Sequence, residues 1–239
     1  MDENDKMLVF SHIPTEYDRN VSGEKILKIA LDEIGAAESD VAYLVSTGYG
    51  RKSFLRADMN IPEIIAHGLG TWHMMPGTRT IIDIGGQDSK VIRIEPDGSV
   101  ANFVMNDKCA AGTGRFLDVM ARVLEVKVEE LGDLGDKSTK EVGISSTCTV
   151  FAESEVISQL AMGTDKCDII HGIHKSVAGR VSGLCHRIGV RDDVVMTGGV
   201  AQNHGIVKAL QEQLGHEIHT TPLTQYNGAL GAALFAYQK

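Results

Sequence analysis

The 239-residue sequence has little of what marks a nucleic-acid-binding or membrane protein. It carries 23 Lys and Arg against 32 Asp and Glu, a formal net charge of -9, and it has no basic stretch. We therefore expect neither a nucleic-acid partner nor attachment to an anionic membrane surface. The longest apolar stretch of note, 228–237, is about half of what a membrane-spanning helix needs, so we expect no such helix.

Cysteine is also scarce. The four cysteines, at positions 109, 148, 167 and 185, form no CxxC pair, which is too few and too scattered for a disulfide framework. The acidic N-terminus lacks the basic start and apolar stretch of a secretory signal, so we expect a cytoplasmic protein with reduced cysteines. With 43% hydrophobic and 23% charged residues the chain can bury a core, which excludes a disordered or collagen-like protein.

Hydrophobic periodicity alternates between strand and helix patterns, which predicts a mixed α/β fold. The predicted strands cover 7–13, 41–45, 80–84, 91–94, 194–196 and 216–220. The predicted helices follow Ser22 and Pro62, cover 115–124, 150–161 and 169–188, end near Leu214, and follow Tyr226. The apolar residues of 169–188 recur every three or four positions, so that stripe belongs to the core. The length allows one large domain or two small lobes.

A glycine-rich turn follows the predicted strand 80–84. From Asp83 the sequence is Asp-Ile-Gly-Gly-Gln-Asp-Ser-Lys. The two glycines let backbone amides approach a phosphate, Asp83 can hold a magnesium-bound water, and Gln87 can orient a nucleophile. An ordinary glycine-rich hairpin explains the turn equally well, so the motif alone leaves both interpretations open.

A second glycine element runs from the predicted strand 194–196 into a helix. Gly198 and Gly199 would let a flat base or a ribose lie against the backbone, and Gln202 and Asn203 would offer polar contacts from the first helical turn. The segment contains neither the GxxxxGK of a Walker loop nor the GxGxxG of a dinucleotide site. By itself, a tight strand-to-helix turn is the simpler explanation.

Two of the cysteines lie beside predicted helix starts. Cys109 precedes Ala-Ala-Gly-Thr-Gly and a helix, and Cys148 opens another helix. Near a helix N-terminus the amide dipoles favour a thiolate, which is the form that binds iron. Two chains meeting at a twofold axis could supply the four ligands of an iron-sulfur site. On composition alone, two buried structural cysteines are the commoner case, and we assign Cys167 and Cys185 to that class.

Three further sets of polar residues are weaker candidates: His171, His174 and Asp168; Glu153 and Glu155; and Arg51 in the turn 47–51. The histidine set has metal-compatible spacing but no third strong ligand nearby, so surface or hydrogen-bonded histidines are the better interpretation. The two glutamates can simply complement a helix dipole. The arginine could meet a phosphate or another subunit.

Taken in order, these motifs resemble the ATP-dependent activators of 2-hydroxyacyl-CoA dehydratases, within the BadF/BadG/BcrA/BcrD-type ATPases. The resemblance covers nearly the whole chain and is carried by the segments 47–51, 83–90, 105–116, 145–155, 197–203 and 225–233. The two cysteine segments are highly specific, and they favour the ligand interpretation over two structural cysteines.

The resemblance implies a fold of the acetate kinase, Hsp70 and actin type, with two ribonuclease-H-like lobes and ATP in the cleft. The lobes would be 1–75 plus the C-terminal helix 226–239, and 76–225. The family also begins with a phosphate hairpin of the type Asp-x-Gly-Ser-Thr, which has no counterpart upstream of residues 7–10. We therefore expect an incomplete first lobe and weakened ATP binding.

The resemblance also implies site residues. Asp83 and Gln87 would act in catalysis. The nucleotide, ATP or ADP with Mg²⁺, would be bound by Gly85, Gly86, Asp88, Gly198, Gly199, Gln202, Asn203 and Gln225. Cys109 and Cys148 of each chain in a homodimer would be the ligands of one shared 4Fe-4S cluster.

The implied activity is ATP hydrolysis coupled to delivery of one electron. Ferredoxin or flavodoxin would charge the cluster, and the electron would pass to a 2-hydroxyacyl-CoA dehydratase and activate it. Three alternatives stay open: an ATP-binding subunit of a benzoyl-CoA reductase, a kinase-like phosphotransferase that needs the nucleotide cleft but not the cysteines, and a nucleotide-sensing module.

Overall fold

The computed structural model describes residues 1, 2, 4, 6–145 and 148–239, which divide into two compact units. Unit 1 comprises Met1–Pro76 and Tyr226–Lys239, and unit 2 comprises Gly77–Gln225. Both units combine helices with strands, which confirms the α/β class. Among the described residues, every helix is too short or too polar to cross a lipid bilayer.

The elements of the described residues are numbered in chain order. The α-helices are α1 (Arg19–Ile34), α2 (Glu63–Met74), α3 (Gly114–Leu124), α4 (Leu131–Gly135), α5 (Thr149–Ala161), α6 (Lys166–Ile188), α7 (His204–Leu214) and α8 (Asn227–Tyr237). The strands are β1 (Val45–Ser46), β2 (Met59–Asn60), β3 (Thr80–Ile84), β4 (Ser89–Ile94), β5 (Val100–Asn106), β6 (Val194–Thr197) and β7 (Ile218–His219). Each predicted helix is present, with its ends shifted by a few residues.

In unit 1, α2 packs against α8, and β1 pairs in parallel with β2. Helix α1 begins a turn earlier than predicted because Asp18 caps it: the Asp18 carboxylate accepts hydrogen bonds from the amides of Asn20 and Val21. The helix ends at Gly35, whose φ of 67° is left-handed, the conformation that favours glycine at this position.

The first predicted strand, 7–13, is wrong: these residues, all of them described, lie outside any strand. The second, 41–45, is observed only at its end, where β1 covers Val45–Ser46. A strand pattern becomes a strand only where a neighbouring strand accepts its hydrogen bonds. In the described part of unit 1 each strand is two residues long, and Leu8 and Phe10 are exposed rather than packed on a sheet.

Unit 2 is built on a five-stranded sheet with the order β5-β4-β3-β6-β7. Strands β3, β4 and β5 form an antiparallel meander, whereas β3, β6 and β7 are parallel. All residues of β3 and β6 are buried, which is why both strands read as nearly continuous apolar runs. The core joins this sheet to α3 and α6, and it contains the predicted stripe of α6 from Ile169 to Ile188.

The parallel pairing of β3 with β6 decides where the two glycine elements lie. Asp83 of β3 is paired with Thr197 of the adjacent strand β6, close to the point where each strand meets its glycine pair. The carboxyl ends of the two strands therefore lie at the same edge, and both glycine pairs, 85–86 and 198–199, follow that edge. Ligands of open α/β sheets bind at such carboxyl ends.

Candidate functional site

The glycines at this edge of the sheet are needed for different reasons. Gly198 has φ 85° and ψ 170°, and a Cβ on it would lie 2.2 Å from the carbonyl oxygen of Ile84. Contact between the two chain segments therefore excludes any side chain at Gly198. A Cβ on Gly199 or on Gly86 would meet no atom of the described residues within 4 Å. These two glycines leave open space beside the backbone, as a bound ligand requires.

The hairpin between β3 and β4 holds a buried charge cluster. Asp83 is 2% exposed, and its Oδ1 accepts a 2.8 Å hydrogen bond from the Thr197 hydroxyl. Its Oδ2 lies 3.0 Å from the Nζ of Lys90, which also lies 2.8 Å from Oδ1 of Asp88. Both oxygens of the predicted catalytic carboxylate thus have protein partners. No role was predicted for Lys90 from the sequence, although it lies inside the quoted motif.

The tip of the hairpin combines exposed and buried groups. Gly86 and Gln87 are exposed, so the Gln87 side chain is free to approach a ligand, as the prediction requires. Asp88 is buried, and its Oδ2 has no hydrogen-bond partner among the described residues. The backbone closes the turn through a 3.0 Å hydrogen bond from the Gly85 amide to the Asp88 carbonyl.

The hairpin tip is attached to the start of α3. The amide of Gly114 donates to the carbonyl of Gly85 and the amide of Arg115 donates to the carbonyl of Gly86, both at 2.8 Å. The first amides of a helix have no partner within the helix, and here the glycine carbonyls supply one. A displacement of the hairpin tip therefore acts directly on the N-terminus of α3.

The segment before α3 carries Cys109. Cys109 lies in the loop before α3, which begins five residues later, at Gly114, within one residue of the predicted helix start. The Asn106 side chain fixes this loop by donating 2.8 Å and 3.4 Å hydrogen bonds to the carbonyls of Cys109 and Ala111. Cys148 is the N-cap residue of α5, with extended backbone. Both thiols are partly exposed.

The other two cysteines are poorly suited to bind a metal. Burial raises the pKa of the Cys185 thiol to about 12. Burial, and then a hydrogen bond and the charge of Asp165, raise the pKa of Cys167. A raised pKa disfavours the thiolate that metals require, which agrees with the structural role predicted for both. Among the described residues, no three His, Cys, Asp or Glu side chains of one chain form a metal-binding group.

The segment that leads to Cys148 is anchored by two carboxylates. Asp168 accepts hydrogen bonds from the Ser138 hydroxyl and from the amides of Thr139 and Lys140, and these lower its pKa, the two amides most. Glu155 accepts a 2.6 Å hydrogen bond from the Ser145 amide. Glu155 therefore does more than complement a helix dipole. Residues 146 and 147 of the predicted cysteine motif lie outside the described residues.

The second glycine element brings two predicted nucleotide contacts together. The Gln202 side-chain amide donates to the Gln225 oxygen at 3.2 Å, and both side chains are exposed. The amide of Gly198 donates to the carbonyl of Thr224, which ties the two segments through the backbone. Gln202 ends a short 3-10 helix, Gly199–Gln202, rather than lying in the first turn of an α-helix.

Asn203 has a different environment from the one predicted. It caps α7, with its Oδ1 accepting from the Ile206 amide at 3.2 Å, and its Nδ2 lies 3.3 Å from Nε2 of His174. His174 is buried, and desolvation lowers its pKa to about 4. His174 is thus a neutral, hydrogen-bonded core histidine, as the sequence analysis favoured.

The candidate phosphate residue Arg51 belongs to unit 1. Its Nη1 donates a 2.9 Å hydrogen bond to the carbonyl of Gly48, which closes the turn in which both residues lie. This bond gives Arg51 a local structural role. A role at a phosphate or at another subunit stays a prediction.

A glycine-tipped hairpin with a buried carboxylate, set beside a parallel strand that ends in a second glycine pair, is the arrangement of a phosphate-binding α/β protein. The chain belongs to the BadF/BadG/BcrA/BcrD ATPase family, whose model matches residues 10–236.

The chain is 62% identical over 210 residues to the (R)-2-hydroxyglutaryl-CoA dehydratase activating ATPase of Acidaminococcus fermentans, covering 87% of this chain and 80% of the relative. The crystal structure of component A of that dehydratase matches with a TM-score of 0.88 and 60% identity, covering 91% and 84% of the two chains. The activator of the 2-hydroxyisocaproyl-CoA dehydratase from Clostridium difficile, with bound ADPNP, matches with a TM-score of 0.89 and 52% identity, covering 91% and 81%. A benzoyl-CoA reductase subunit of Thauera aromatica is 35% identical, over 86% of this chain and 74% of its own.

These relatives confirm the predicted family, fold and ATPase class. The roles assigned to single residues stay predictions.

Proposed function

We propose that this ATPase activates a 2-hydroxyacyl-CoA dehydratase by coupling ATP hydrolysis to the delivery of one electron. The electron would come from ferredoxin or flavodoxin and pass through a 4Fe-4S cluster shared by two copies of the chain. The observation that carries the proposal is the attachment of the hairpin tip to α3 by two 2.8 Å hydrogen bonds, next to the loop that holds Cys109. The high identity to two dehydratase activators supports it.

The residues of the chain fit such a cluster. Cys109 and Cys148 are partly exposed, whereas the raised pKa values of Cys167 and Cys185 disfavour their thiolates. Two thiolates per chain are half of the four that a 4Fe-4S cluster takes, so two copies complete the set. Two apolar side chains in the first turn of α5, Val150 and Phe151, are 65% and 68% exposed. Two adjacent exposed apolar side chains form a surface that a second chain could cover.

When bound, the cluster supplies the one-electron chemistry. The chain would hold it with Cys109 and Cys148, and would bind the phosphates of ATP, with Mg²⁺, at the glycine tip of the hairpin. The exposed Gln87 would orient the attacking water, and the Asp83 carboxylate would lie at the base of the same hairpin. A shift of the glycine tip on hydrolysis would move α3 through the Gly114 and Arg115 amides, and with it the Cys109 loop.

The activator role is favoured over the reductase role because identity to the benzoyl-CoA reductase relative is much lower than identity to either dehydratase activator. A kinase-like phosphotransferase would have no use for the two cysteine segments. Iron content separates that alternative from the proposal.

Iron and sulfide analysis of anaerobically purified protein, with its mass in solution, tests the proposal. We expect about four irons per dimer. Cys109→Ser and Cys148→Ser should each lose the iron, whereas Cys167→Ser, the matched control for a partly exposed thiol, should retain it. An iron-free monomer with normal ATPase activity would overturn the electron-transfer role and leave a plain nucleotide-hydrolysing protein.

A further inference from the structure

A buried lysine joins the two carboxylates of the hairpin. Lys90 is 3% exposed, and its Nζ lies 3.0 Å from Oδ2 of Asp83 and 2.8 Å from Oδ1 of Asp88. Lysine is almost never fully buried unless it is paired. The pairing places one ammonium group between a predicted catalytic residue and a predicted nucleotide contact.

The strand register explains this arrangement. Lys90 is directly opposite Asp83 in the antiparallel β3-β4 pair, so the two side chains lie on the same face of the sheet. Asp88 precedes Lys90 by two residues, and its backbone carbonyl closes the hairpin turn with the Gly85 amide. Thr197, from the parallel neighbour β6, holds the other oxygen of Asp83. Three strands therefore converge on one carboxylate.

Taken by themselves, the three side chains do not cancel in charge. Two carboxylates and one ammonium group sum to a formal charge of -1, and Oδ2 of Asp88 has no hydrogen-bond partner among the described residues. Without the ammonium group, two buried carboxylates would face each other, and like charges at this range repel strongly. The lysine thus determines whether both carboxylates can keep their positions.

We propose that Lys90 is a positioning residue of the ATPase site, whose ammonium group holds the Asp83 and Asp88 carboxylates in place behind the glycine tip. The inference rests on the proposed function in one respect, because it takes this hairpin as the phosphate-binding one. For a positioning residue, unlike for a purely structural ion pair, the loss of Lys90 should affect the hydrolysis step more than the binding of nucleotide.

Charge-balanced variants test the inference. Lys90→Met keeps most of the side-chain volume and changes the formal charge of the cluster from -1 to -2, and the double variant Lys90→Met with Asp88→Asn restores -1. In Lys90→Met we expect kcat for ATP hydrolysis to fall about tenfold or more, with KM within about threefold, as for a group acting mainly in the transition state. Lys90→Met should lower kcat by a smaller factor in the Asp88→Asn background than in the wild type, because only one charged carboxylate is then left. Lys208→Met, at a 63% exposed lysine of the same unit, is the control.

Each outcome decides the inference. Unchanged kcat in Lys90→Met, or a loss by the same factor in the wild-type and Asp88→Asn backgrounds, would overturn it. If Lys90→Met does not fold, as judged by circular dichroism, Asp88→Asn and the double variant are compared: the inference requires a folded double variant with kcat close to that of Asp88→Asn, and a folded double variant with kcat far below that of Asp88→Asn refutes it. A wild-type protein without ATPase activity but with intact nucleotide binding would count against the proposed function instead.

Discussion

Replacing Gly198 with alanine should destabilise unit 2, because both the backbone conformation and the close packing at this position require glycine. With φ 85° and ψ 170°, the residue lies in a region that is essentially restricted to glycine, and occupying it with alanine costs about 1–3 kcal/mol. The new Cβ would lie 2.2 Å from the Ile84 carbonyl oxygen and 2.6 Å from its carbon. Both atoms are backbone of the central strand β3 and cannot rotate away, so overpacking adds about 1–3 kcal/mol.

The sum is about 2–6 kcal/mol of lost stability, which lowers Tm by at least about 4 °C in a chain of this size. Thermal and urea unfolding followed by circular dichroism measure it. Gly199→Ala is the matched control, since a Cβ there meets no described atom within 4 Å. We expect Gly199→Ala to keep its stability and to weaken nucleotide binding. A Gly198→Ala protein as stable as Gly199→Ala would refute the argument from backbone geometry.

Two further predictions concern the carboxylates that anchor the segment before Cys148. Asp168→Ala should lower Tm, because three hydrogen bonds to one carboxylate oxygen are lost. Since the folded-state pKa of Asp168 is lowered, this contribution is present above the ordinary carboxyl pKa of about 3.9 and is lost as the pH falls through the folded value. Unfolding of both proteins between neutral and acidic pH checks this, and a gap in Tm that is independent of pH would contradict it. Glu155→Gln should reduce the iron content of anaerobically purified protein, because it weakens the hold on the Ser145 amide, whereas Glu153→Gln on the same helix should not.

Much of unit 2 could be predicted from local patterns. Strands β3 and β6 are nearly continuous apolar runs because both of their faces are buried, and α6 shows its core stripe because a helix repeats every 3.6 residues. Unit 1 was harder: the apolar run at the start of 7–13 is typical of a strand, but no strand among the described residues pairs with it. A sequence pattern indicates which residues can form a strand, but it does not identify the strand that would pair with them.

Motifs at fixed spacing are local properties of the chain, and they were enough to predict the family, the two glycine elements and the candidate cysteines. How these parts contact one another depends on the fold. Asp83 meets Thr197 across 114 positions of sequence, and the hairpin tip meets the start of α3 through backbone groups that no side-chain motif encodes. The central position of Lys90 and the capping role of Asn203 likewise follow from packing and strand register, which arise when distant segments bury their apolar surfaces together.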